Sequence, residues 1–155
     1  MPWYDRVLTG WAALFAMTSL VFDRMAAIEP GPIEPTTAGI KGAFYWYATT
    51  FDPLIALNPL WLQIMSGISA FVFGPFYVAL AYALVRRRPW IRPVALAYCA
   101  AMLYSMVLFL GVHGFGEPHP PSLAIVIAMY TPYVLFPLAL LRRMLPTPVF
   151  PDQER

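Results

Sequence analysis

Charge is scarce in this 155-residue chain: Asp, Glu, Lys and Arg make up 12% of it, about half the roughly 25% typical of soluble domains, while 60% of the residues are hydrophobic. A water-surrounded globule is thereby excluded. The net charge is only +2 and the arginines are grouped, which argues against a nucleic-acid-binding face. Cysteine is nearly absent, and Cys99 alone can form neither an intrachain disulfide nor a cysteine-cluster metal site. There is no glycine-rich phosphate loop, no nucleophile elbow and no adjacent Ser, His and acid signature, so nucleotide-driven and hydrolase chemistry have no foothold. Nor do the apolar stretches alternate with a period of two over roughly 9 to 11 residues, as the strands of a membrane barrel would.

What is present is four apolar runs, Val7 to Ile28, Leu60 to Val85, Val94 to Val112 and Ser122 to Leu145. Each approaches the roughly 20 residues that cross a hydrocarbon core of about 30 Å as a helix. The expectation is an all-α polytopic membrane protein, one four-transmembrane-helix bundle over residues 1–155. The first run is longer than the usual 7 to 15 residues of a signal peptide's apolar region. Asp23 and Arg24 also interrupt the place where cleavage would occur, so it is read as a retained span.

Arg86, Arg87, Arg88 and Arg92 crowd the second connection, and Arg142 and Arg143 close the fourth run. The positive-inside rule places these ends in the cytoplasm, together with both termini and a tail over 146–155. The long first connection, residues 29–59, then lies on the opposite face. It begins with EPGPIEP and carries Phe44, Tyr45, Trp46 and Tyr47 before Asp52 and Pro53, a composition that suits either a lid or an aromatic anchor at headgroup depth.

Pro75 precedes Arg86 by 11 residues and Pro132 precedes Arg142 by 10, which puts both near mid-bilayer at ~1.5 Å per residue. Prolines at one depth kink their helices and open space between them; Pro137 follows on the same fourth helix. By the same ruler Asp23, 17 residues beyond Arg6, and Ser69, 17 residues before Arg86, share a depth in the outer half. Tyr104 and Ser105 on the third run, and Tyr130 and Thr131 on the fourth, fall in a comparable slab. Gln63, Ser66, Gly67, Ala70, Gly74 and Tyr77 make a small or polar stripe on the second run, which reads equally as helix–helix packing.

Asp23 is the most informative of these residues. A carboxylate amid apolar residues costs roughly 2.5 to 3.5 kcal/mol to insert at the centre of a bilayer helix, so a cation such as Arg24, a ligand amine, water or protonation must offset it. His113, Glu117 and His119 in the third connection are the right types for zinc. They lack the spacing of a metal-binding helix, and no metal or other cofactor is expected.

Four spans, FYWYATTFDPL before the second, PWIRPVALAY opening the third and MYTPYVLFPLALLRRML in the fourth together resemble the EXPERA family, nearest its sigma-2 receptor branch. The resemblance implies a four-helix bundle whose intramembrane cavity takes sterols or cationic amphiphilic amines. It also implies that Asp23 is the counter-ion for a ligand amine, that Asp52 holds the long connection, and that Tyr130, Pro132 and Tyr133 border the cavity. One position departs from the pattern: the glutamate that relatives carry on the second helix is Ser69 here.

Double-bond migration needs a proton donor and an acceptor, and a single buried acid supplies one proton-carrying group. The leading expectation is therefore binding of a sterol-like, isoprenoid or cationic amphiphilic molecule in a chamber contacted by Asp23, Ser66, Ser69, Tyr104, Tyr130, Tyr133 and Tyr47. Asp52, Pro75, Pro132 and Pro137 would shape it. The alternatives are a lipid double-bond isomerase with Asp23 as its proton shuttle and catalytic residue, and an accessory or chaperone subunit of a membrane complex. A homodimer or a membrane-protein partner is compatible with each.

Overall fold

The structure is a computed structural model and describes residues 1–29, 31–35, 38–146 and 149–150. Four helices are long and apolar enough to cross a membrane: α1 (Trp3–Ile28), α4 (Leu60–Arg86), α5 (Ile91–Phe115) and α6 (Leu123–Met144). Between α1 and α4 lie two shorter helices, α2 (Gly39–Phe51) and α3 (Pro53–Leu57). Among the described residues there is no strand. The protein is thus an all-helical, multi-pass membrane protein, and its spans match the four apolar runs. The clearest difference is at the first, where Pro2 places its carbonyl to accept from the Arg6 N–H at 3.2 Å and the helix starts at Trp3, ahead of Val7.

Lipid tails are as apolar as leucine, so the spans are held by close packing and by polar contacts between them. Span α1 packs chiefly on α4, and α5 on α6. At the arginine end, Arg143 clasps buried Asp5 at 2.7 and 3.2 Å, joining the start of α1 to the end of α6. The same guanidinium reaches the Val149 carbonyl at 2.6 Å and lies 4.9 Å over the Phe150 ring. Arg92 donates to the Met144 carbonyl at 2.9 Å, satisfying one of the acceptors that a helix end leaves open. Of the expected 146–155 tail, residues 147, 148 and 151–155 lie outside the described residues.

Above this clasp is an aromatic plug. Phe15 stacks on Tyr133 at 4.6 Å and meets Phe136 edge-on at 5.0 Å, while Phe76 stacks on Tyr98 at 4.6 Å. The Tyr77 and Tyr98 hydroxyls hydrogen-bond at 2.9 Å, so neither leaves a polar atom unsatisfied in apolar surroundings. Both α1 and α4 then loosen into a π turn, at Ser19–Asp23 and Ser69–Phe73, and these two turns face one another. In α4 the cause is local: Pro75 has no N–H for the Phe71 carbonyl and its ring crowds that position, so the turn ahead of it widens. Nothing in the sequence of α1 accounts for the matching turn there. The two helices approach closely, since a Cβ on Gly74 would lie 2.9 Å from Leu20 Cδ2.

Candidate functional site: a chamber with two polar walls

Beyond the plug the four spans diverge around a cavity of about 460 Å³, roofed by α2 and α3. Its volume falls within the roughly 300–1,000 Å³ of small-molecule sites. Met65, Phe73, Met102, Met106 and Phe109 give it a largely apolar lining. Polar groups enter from two sides.

The first polar wall is built by the facing π turns. Ser69 Oγ donates to Asp23 Oδ2 at 2.6 Å, and the Ser19 hydroxyl lies 3.1 Å from that of Ser69. A widened turn moves side chains off the regular helical register, and here it brings an acid and two serines together across the α1–α4 seam. The shared depth expected of Asp23 and Ser69 is therefore direct contact. Arg24 is exposed, and among the described residues no lysine or arginine pairs with Asp23, which meets hydroxyls instead. Ser66, one helical turn before Ser69, also lines the chamber.

The second wall is held from the roof. Asp52 is the N-cap of α3, accepting the Ile55 N–H at 3.2 Å, a position that the sequence Asp-Pro favours because proline at the first helical residue needs no partner. Fully buried, it also meets His113 Nε2 at 2.8 Å and accepts the Tyr130 hydroxyl at 3.0 Å. The other nitrogen of His113 lies 2.9 Å from the Phe109 carbonyl. One carboxylate thereby ties the roof to α5 and α6. At the far end of α3, Asn58 adopts the left-handed conformation (φ 43°) and donates to the carbonyls of Ala26 and Glu29, both at 2.9 Å, closing the end of α1. Lys41 pairs with Glu29, a further tie between α2 and α1.

The aromatic stretch of the connection divides by helical spacing. Phe44 and Tyr47, three residues apart on α2, line the chamber, while Trp46 points outward with 60% exposure. Burial pushes the Tyr47 phenol above its ordinary pKa, so its hydroxyl keeps its proton, with Tyr130 and Asp52 as its polar neighbours.

Asp23, Ser66, Ser69, Tyr47, Tyr130 and Tyr133 are thus brought to one chamber. Tyr104 is not: it is 72% exposed on the outer face of α5. On a helix of about 100° per residue it lies some 200° round from Met102, and Met102, Met106, Phe109 and His113 form the inward stripe. Pro75 is exposed on α4, whereas Pro137 is buried within α6. His113 went unrecognised as a partner of Asp52. Its place at the end of that stripe was the available signal. It is taken up by Asp52 and Phe109 and turned away from exposed Glu117 and His119.

Four apolar spans around a roofed chamber with a carboxylate on one wall define a helical membrane protein with an intramembrane small-molecule pocket. The chain belongs to the EXPERA (EXPanded EBP superfamily) family, whose model matches residues 40–144. It is 31% identical over 122 residues to Sigma intracellular receptor 2 of Xenopus tropicalis, covering 71% of each chain. Against Sigma intracellular receptor 2 of Homo sapiens the identity is 26% over 162 residues, covering 96% of this chain and 91% of that protein. The protein from Macaca fascicularis is likewise 26% identical, over 149 residues. The resemblance carried by the motifs of the connection and the last two spans is thereby established.

Proposed function

We propose that this protein binds a hydrophobic small molecule, sterol-like, isoprenoid or a cationic amphiphile, within the chamber, with Asp23 as its polar anchor. The observation that carries this reading is a carboxylate that accepts from a serine hydroxyl and, among the described residues, pairs with no lysine or arginine, on the wall of an otherwise largely apolar cavity. Ser69 fills one lone-pair direction of Asp23 and leaves others for a ligand N–H or O–H. Membership of a family with receptor relatives supports the same reading.

Binding fits this wall better than double-bond migration does. Where a second acid would stand, Ser69 offers a hydrogen bond without an exchangeable acid proton of useful pKa. The arginine-rich ends face the cytoplasm, which puts the roofed chamber in the opposite half of the bilayer.

Removing the charge is the direct test. Asp23→Asn weakens binding of a lipophilic tertiary amine about 10- to 100-fold, corresponding to loss of a charge-assisted hydrogen bond of about 1.5–3 kcal/mol. Scintillation proximity or thermophoresis on protein in lipid nanodiscs measures this. Unchanged affinity would remove Asp23 from the site.

A further inference from the structure

A groove of about 410 Å³ lies between the start of α1 and the end of α6, lined by Trp3, Tyr4, Arg142, Arg143 and Pro146. These residues stand where the two spans leave their apolar runs, at the level of lipid headgroups. Most of the charge there is already committed. Arg143 gives its Nε and Nη2 to Asp5 at 2.7 and 3.2 Å and its Nη1 to the Val149 carbonyl at 2.6 Å. Arg92, at the same end, is taken up by the carbonyls of Met144 and Leu145. Asp5, the one described acid at this end, is buried with both oxygens held by Arg143. Arg142 is exposed and has no hydrogen-bond or ion-pair partner among the described residues. The groove therefore carries one uncompensated positive charge and no free negative one.

Trp3 adds a neutral donor. Its ring is 74% exposed and meets Tyr4 edge-on at 5.7 Å, and the Tyr4 hydroxyl is fixed on the Ala139 carbonyl at 2.7 Å. An indole N–H can only donate. Lining one groove, a guanidinium and an indole N–H suit a phosphodiester, a monoanion with two free oxygens that accept. A zwitterionic head brings an ammonium as well, and the groove has no carboxylate left to receive it.

Beyond the groove both helices turn apolar. Val7 and Trp11 follow Trp3 by four and eight residues on α1, Leu138 and Leu135 precede Arg142 by four and seven on α6, and each of them is exposed. Such stripes are of no use to a free anion. Acyl chains pack against them.

We infer that this groove binds an anionic phospholipid, its phosphate on Arg142 and Trp3 and its acyl chains along the two apolar stripes. Basic pockets between spans take heads of this kind. The Asp5–Arg143 clasp and Tyr4 hold the groove in shape without adding net charge. The site shares no lining residue with the chamber, so it does not depend on the ligand proposed there.

The test titrates full-length protein in an uncharged detergent with dioleoylphosphatidylglycerol and, separately, with dioleoylphosphatidylcholine, and counts bound lipids by native mass spectrometry. For the first lipid bound, the wild type prefers phosphatidylglycerol about tenfold. Arg142→Gln brings that ratio within about twofold of unity, and Trp3→Phe, which keeps the ring and loses the N–H, lowers it about threefold. Both side chains are exposed, so neither replacement threatens the fold. Arg88→Gln removes an exposed arginine of the same end that does not line the groove, and it leaves the ratio within about twofold of wild type.

Equal retention of the two lipids overturns the inference, as does a preference that survives Arg142→Gln. A preference lost as fully in Arg88→Gln also overturns it, by reducing it to the general charge of that end. Displacement of bound phosphatidylglycerol by inorganic phosphate at equal concentration marks a site for free anions and overturns the lipid assignment.

Discussion

Serine beside a carboxylate lends it a hydrogen bond but not a second acidic proton. At the level of single residues, that difference leaves Asp23 as the one carboxylate among the described residues that line the chamber. Ser69 also orients Asp23, since the two side chains, 46 residues apart in sequence, meet at 2.6 Å across the seam between α1 and α4. Ser69→Ala should lower the affinity for a lipophilic amine about fivefold, the equivalent of about 1 kcal/mol. Tyr104→Phe, by contrast, should leave affinity within about twofold, because its ring faces away from the chamber with 72% exposure. Competition binding on the two variants side by side checks both; a large effect of Tyr104→Phe would put the chamber on the wrong face of α5.

Elements are joined by polar groups, several of which serve more than one partner. Asp52 starts α3, fixes the orientation of His113 and holds Tyr130, so the roof, α5 and α6 depend on one side chain. Deleting one partner of a buried hydrogen bond leaves the other group unsatisfied at a cost of about 1–3 kcal/mol. Asp52→Ala should therefore lower unfolding stability by about that amount. His113→Leu added to it should cost distinctly less than His113→Leu alone, as the imidazole no longer has a partner to lose. Denaturant unfolding in mixed micelles gives all corners of the cycle. Strict additivity would show that the roof is held by something other than this pair. Legibility in the sequence was partial here: the Asp-Pro step marked a helix start, but its link to a histidine 61 residues away left no local trace.

Taken whole, the molecule is polarised along the membrane normal. The Asp5–Arg143 clasp and the aromatic plug close the arginine-rich end, and the chamber and its roof occupy the other. If the arginine ends are cytoplasmic, a cysteine replacing exposed His119 is labelled by an impermeant maleimide added outside sealed cells, whereas one replacing exposed Arg88 requires permeabilisation. Buried Cys99 should contribute little background in either case. The reverse labelling pattern would invert the topology and move the chamber to the cytoplasmic half.

The number of spans, their helical nature and the candidate polar depth were determined by the sequence itself, because bilayer thickness turns apolar run length into helix count and residue spacing into height. Height, however, carries no information about direction round the helix axis once the helix departs from regularity. The paired π turns, the inward placing of Asp23 against Ser69, the outward turn of Tyr104 and the capture of His113 by Asp52 were decided only by tertiary structure. Each depends on which neighbouring helix offers a hydrogen-bond partner where no water can serve in its place.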